Sequence, residues 1–206
     1  MREPSEVQKI NARRRHNIVY CSSFITFILE NTMLERYVMK FVVGCDLEEF
    51  KEYYKRNGFA GEQGTGELGV TEEKIVTQNP SHLIVWRDND EIVGNAIWHE
   101  TNTAEHRKGA PRDKEDSEIL ERFLEGKKGF VELHEIWLIE KYRGKGYGKK
   151  FFDFFEKFIK DKGFDSIVYY AFHPAAVTIC CQRGYKEDYL STEDEYVFYR
   201  SLKQRV

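Results

Sequence analysis

The stretch Arg143-Gly144-Lys145-Gly146-Tyr147-Gly148 constrains this chain more than any other, because it sets a nearly bare backbone between two regular elements. Before it, Val131 to Ile139 alternates in side-chain character as a part-buried strand does. After it, Phe151, Phe154, Phe155, Phe158 and Ile159 fall on one face of a helix. Alternate glycines remove side chains at the junction, so backbone N–H groups and the positive end of the helix can converge on an anion such as a pyrophosphate. Lys145, Lys149 and Lys150 add positive charge.

Two commoner phosphate motifs fail on spacing. The dinucleotide pattern G-x-G-x-x-G requires glycine where Lys149 stands, and a P-loop ending at Gly148-Lys149 requires glycine in place of Arg143 and a hydroxyl in place of Lys150. What remains is Arg-x-x-Gly-x-Gly, read as Arg143, Gly146 and Gly148. It resembles the acyl-CoA signature of the GNAT superfamily of N-acetyltransferases. The preceding Ile136-Trp137-Leu138-Ile139-Glu140-Lys141-Tyr142-Arg143 is similar to the family's strand end, with Glu140 replacing its usual proline. Downstream, Ile167 to Phe172 reads as a buried strand, followed by a short helix with Pro174 at its first position and Gly184 just past its end. The resemblance is close over 131–185 and looser upstream. There Asp46 and Glu49 form a capping box, 82–87 and 91–98 read as a hairpin around Asp88-Asn89-Asp90, and Tyr196 to Tyr199 is a last strand.

The resemblance implies an α+β fold: a mixed central sheet of about six to seven strands, flanked by helices, with a splay between strands four and five. It implies an acyltransferase domain over 34–206 that uses acetyl-CoA as co-substrate. Residues 1–33 stand apart as an extension, either an extra helix or sequence upstream of a start at Met33. Their run from Ile18 to Leu29 lacks a small-residue cleavage site and is too short to span a bilayer. Glycines at 58, 61, 64, 66 and 69 mark either a lid or a simple surface loop, and 113–125, with six acids and two bases, reads as an amphipathic insertion.

A net charge of −3 argues against nucleic-acid or acidic-membrane binding. Cys21, Cys45, Cys180 and Cys181 form no disulfide framework, which suits a reducing, cytoplasmic setting. No metal spacing is visible, so no metal is expected. The acidic stretch from Lys186 to Glu195 hints at a cationic acceptor, with a solvated loop as the alternative.

The resemblance also places the chemistry. An amine must lose a proton before it attacks a thioester, so a base belongs just before Leu138, whose backbone in the family contacts the acyl or pantetheine amide. Ile136, Trp137 and Leu138 line the cofactor, with Arg143 to Lys149 at the pyrophosphate and His173, in place of the family's asparagine, at the pantetheine arm or merely a strand end. Glu132 and His134 share a strand face and rank ahead of Glu135, which points the other way unless a bulge intervenes. Cys180 stands where the family's frequent tyrosine acid does, and is either a thiol acid or, preferably, an apolar filler. The expected acceptor is a small amine and the expected enzyme a monomer or homodimer. A silent CoA-binding module and a protein acetyltransferase remain as alternatives.

Overall fold

The computed structural model describes residues 39–57, 67–106 and 113–203. The expected extension at 1–33 and glycines 58, 61, 64 and 66 lie outside them. Among the described residues, seven strands form one mixed sheet in the order β1-β2-β3-β4-β5-β7-β6. They are β1 Lys40–Val43, β2 Leu83–Asp88, β3 Glu91–Asn102, β4 Gly129–Leu138, β5 Ser166–Ala171, β6 Lys186–Leu190 and β7 Glu195–Ser201. The helices are α1 Leu47–Asn57, α2 Val70–Gln78, α3 Asp113–Leu124, α4 Tyr147–Asp161 and α5 Pro174–Gln182. Among the described residues only β4 and β5 pair in parallel, and α4 supplies the crossover that such a pair requires.

Local chemistry fixes the helices. The Glu49 N–H donates to Asp46 Oδ1 at 2.9 Å, which caps α1 as its sequence predicts. Phe50, Tyr53 and Tyr54 then fall on one face of α1 and pack with Ile75 and Val76 of α2 over Leu83, Val85, Ile92 and Ile97. On α3, the expected Ile119, Leu120, Phe123 and Leu124 cover Phe130, Val168 and Tyr170. Ile97 meets the α1 cluster while its neighbour Trp98 meets Phe158 of α4, so α4 lies on the opposite face of the sheet. Phe151, Phe155 and Ile159 are buried there, with Phe154 and Phe158 partly covered. Phe152, absent from the expected stripe, is buried too, against the rings of Tyr169 and Tyr185. Each such phenylalanine contributes about 1.5–3 kcal/mol of apolar burial.

The acidic stretch after Gly184 is not a loop: it forms β6 and a turn, paired along β7. Its acids are engaged within the fold, Asp188 by Arg122, Glu187 by the Cys181 thiol and Asp194 by the Tyr189 hydroxyl.

Two irregularities position the site. β4 pairs with β5 only from Val131–Ile167 to Leu133–Tyr169, yet β4 continues to Leu138. From His134 onward the β5-side edge of β4 therefore has no strand beside it among the described residues, which is the expected splay. On its other side β4 pairs Glu135 with Ile97 and Leu133 with Trp98, leaving His134 as an extra, bulged residue.

Candidate active site

The glycine turn is built by backbone geometry. After β4 a single 3-10 turn, Glu140–Tyr142, leads to Gly144 and Gly146, whose φ values of +73° and +79° disfavour any residue with a Cβ. A Cβ on either would meet nothing within 4 Å, so the turn faces open space. Gly146 is also the N-cap of α4, and no side chain caps that end. The first-turn amides of α4 are thus free of a side-chain cap at the positive end of a 15-residue helix. Gly148 has a packing role as well: a Cβ there would stand 3.0 Å from Ile179 Cδ1, so this glycine lets α5 close on α4. Arg143 donates from Nε to the Leu138 carbonyl at 2.8 Å and lies over the Trp137 ring, tying the turn to the end of β4. Lys145 holds the Lys141 carbonyl at 2.8 Å, Lys150 lies over the Tyr147 ring, and Lys149 is exposed. Uncapped amides, bare glycines and nearby cations suit a diphosphate.

The bulge rearranges the three candidate bases. Strict alternation would turn Glu135 away from Glu132 and His134, but the extra residue brings it to the face that α1 and α2 cover. There Glu135 accepts hydrogen bonds from the Tyr54 hydroxyl (2.7 Å), Asn95 Nδ2 (2.5 Å) and Trp137 Nε1 (3.1 Å). Burial pushes its carboxyl from 4.5 up to about 7, against the opposing pull of those donors and with a smaller push from Glu72. Glu132, only 3% exposed, is anchored by His106, whose Nδ1 lies 3.0 Å from its Oε2. His106 also reaches Asp116 at 3.2 Å and the Tyr170 hydroxyl at 2.8 Å. Burial alone would lower the His106 pKa, but hydrogen bonds to Asp116 and Glu132 raise it. His134 sits between, with Nε2 2.9 Å from His99 Nδ1 and Nδ1 3.8 Å from Glu72.

Residues 47–177, more than half of the chain, match the model of the acetyltransferase (GNAT) family. The chain belongs to the GNAT family. It is accordingly an acyltransferase. No curated protein matches the chain significantly. Among solved structures, a mosquito arylalkylamine N-acetyltransferase-like protein 5b superposes with a TM-score of 0.58 at 15% identity, covering 80% of this chain and 100% of its own. A Drosophila melanogaster polyamine N-acetyltransferase gives 0.56 at 12% identity, covering 79% and 100%. The ribosomal-protein-S18-alanine N-acetyltransferase of Escherichia coli gives 0.52 at 11%, covering 82% and 97%. At these identities the likeness is one of fold.

Against the GNAT pattern, two expected site residues read differently. Cys180 is 0% exposed, and burial drives its thiol pKa well above the ordinary range, with smaller pushes from Cys181 and Glu156. A proton held that firmly is a poor one to give a leaving thiolate, and the full burial of Cys180 fits the core-filler reading. His173 is the N-cap of α5, its Nδ1 accepting from the Ala175 N–H at 3.2 Å, and Pro174 follows at the first helical position. That bond occupies the ring nitrogen nearest the backbone. Ile136, Trp137 and Leu138 do lie on the unpaired stretch of β4, opposite Ala96, Asn95 and Gly94 of β3.

The sequence reading missed Tyr54, Asn95, His99, His106 and Glu72. Asn95 carried a signal: it is polar within the otherwise apolar run from Ile92 to Trp98, and it is fully buried. The remainder meet β4 from distant elements, which no local pattern discloses.

Proposed function

We propose that the chain moves the acetyl group of acetyl-CoA directly to a primary amine in a ternary complex, with Glu135 taking the amine's proton. The observation that carries this is the bulge at His134, which sets Glu135 on the α1 and α2 face beside the stretch of β4 edge that β5 leaves unpaired. A base works best when its pKa lies near the working pH, and the Glu135 carboxyl at about 7 meets that condition. Tyr54, Asn95 and Trp137 hold the carboxylate in one orientation and supply hydrogen bonds to its ionised form.

The α4 amides, with Gly144 and Gly146 and the exposed Lys149, would hold the diphosphate of the donor, and Arg143 would fix the turn at the end of β4. The thioester supplies an activated acetyl group. The uncoupled β4 edge from Ile136 to Leu138 offers peptide groups to an amide-bearing arm, as an unpaired strand edge does. The structures resembling this one include enzymes named for arylalkylamines and polyamines, which supports an amine acceptor. The thiols of Cys45, Cys180 and Cys181, unbridged among the described residues, support a cytoplasmic setting.

The test is a panel of arylalkylamines, polyamines and peptides with free N-termini, followed by CoA release and the mass of the product. Acetylated amine from at least one small amine is the expected result. Tight acetyl-CoA binding with no turnover on any acceptor would make the chain a silent binding module, and turnover on peptides alone would displace the small-amine acceptor.

A further inference from the structure

His99, Glu132 and His134 bring two imidazole nitrogens and a carboxylate oxygen within 4.8 Å of one another. No sequence spacing announces the set, because His99 belongs to β3 and the other two to β4. His99 stands directly opposite Glu132 in the β3–β4 register, and the bulge adds His134 beside them. We propose that these three side chains bind a divalent transition metal ion of the zinc type, and that the bound ion blocks acetyl transfer.

The separations favour this chemistry. His99 Nδ1 and His134 Nε2 are 2.9 Å apart, and Glu132 Oε2 lies 3.8 Å from His134 Nε2. Zinc bonds of ~2.0–2.1 Å in a tetrahedron place neighbouring ligand atoms ~3.3 Å apart, between those two distances; the third pair, His99 with Glu132, lies within 4.8 Å and closes on the ion by side-chain rotation. Two imidazoles with one carboxylate form a donor set for zinc and its first-row neighbours, whereas magnesium and calcium seek oxygen alone. Three protein ligands leave the fourth position open.

Outer partners are in place as well. Glu132 is held by His106, which is fixed in turn by Asp116 and Tyr170, and the second nitrogen of His134 faces Glu72 at 3.8 Å. Ligands of metal sites are usually oriented by hydrogen-bonded neighbours, as His106 orients Glu132; Glu72, at 3.8 Å, is a charged neighbour of His134. His134 directly precedes Glu135, so a bound dication would repel a cationic amine and draw on the proton-accepting carboxylate. The inhibitory consequence rests on the role proposed for Glu135; the binding does not.

The full chain, stripped with EDTA and exchanged into chelator-free buffer, is titrated with zinc(II) by calorimetry and by competition with a chromogenic chelator. One equivalent should bind, and His99→Asn and His134→Asn should each weaken it at least ~10-fold, since loss of even an outer partner commonly costs that much. Acetyl-CoA affinity, unchanged in His99→Asn, certifies that the variant is folded. Cobalt(II) added to the wild type should give the intense visible bands of a tetrahedral site, a reading that needs no variant. Equal zinc affinity in wild type and His99→Asn, or no tetrahedral cobalt spectrum, would overturn the site. Zinc should slow transfer by the wild type and spare His99→Asn; binding at this site without slowing would overturn the inhibitory half alone.

Discussion

Replacing Glu135 with glutamine removes an ionisation that burial makes costly, and the cost can be read from the pH dependence of stability. The carboxyl pKa rises from 4.5 to about 7 on folding, chiefly because burial strips water from the charged form. A folded pKa above the unfolded one means that the protonated group favours the fold. Its contribution is complete below the unfolded value of 4.5 and is lost as pH rises through about 7. At about 1.4 kcal/mol per unit the whole shift is worth about 3 kcal/mol. Discounted for the part of Glu135 that solvent still reaches, about 2 kcal/mol should vanish between roughly pH 5 and roughly pH 8. Glutamine has no such dependence. It also offers one oxygen and an NH2 group to three donors, so the variant carries a pH-independent deficit of about 1–3 kcal/mol. Urea unfolding of both proteins, with EDTA present, should therefore show the wild type's advantage shrinking by about 2 kcal/mol from the acid to the alkaline end. Parallel stability curves would mean that Glu135 titrates as it does in water and that burial does not raise its carboxyl pKa.

Three further outcomes follow from the geometry. Gly146→Asp should weaken acetyl-CoA binding by ~10–100-fold, the value of one lost charged hydrogen bond, while Gly126→Asp, equally strained at φ +85° but remote, should not; calorimetry decides. Gly94→Ala would set a Cβ 2.7 Å from both Leu138 Cδ2 and the Trp137 carbonyl, so thermal melts should show a loss of about 1–3 kcal/mol, because a backbone oxygen cannot move aside. Cys180→Ala should leave kcat unchanged and cost about 1 kcal/mol of stability, whereas a large fall in single-turnover rate would restore the thiol as an acid.

What the sequence disclosed was local. The turn at 143–148 is legible because positive φ at Gly144 and Gly146 demands residues without a Cβ, the start of α1 because its capping box is written in Asp46 and Glu49, and the faces of α3 and α4 because helical spacing is written into neighbouring residues. Phe152 escaped because it lies off the main stripe of α4, on a flank that Tyr169 and Tyr185 happen to close. β6 was hidden since an edge strand with one exposed face can carry acids such as Glu187 and Asp188, and α2 since its pattern is short and follows a run of glycines. The bulge at His134 is a property of register between β3 and β4, so the orientation of Glu135 could be stated only conditionally. The same register brings His99 to Glu132, two residues that sequence distance keeps apart.

The pH dependence of kcat/KM for acetyl transfer to a small amine, measured with EDTA present, decides whether Glu135 takes the proton. The wild type should rise with pH and level off with an apparent pKa near 7, the value of the Glu135 carboxyl. Glu135→Gln should bind acetyl-CoA normally, fall by about 10²–10⁴-fold, and lose that bend, its residual rate climbing only as the amine itself deprotonates. A variant that keeps both the rate and the bend would show that another group takes the proton.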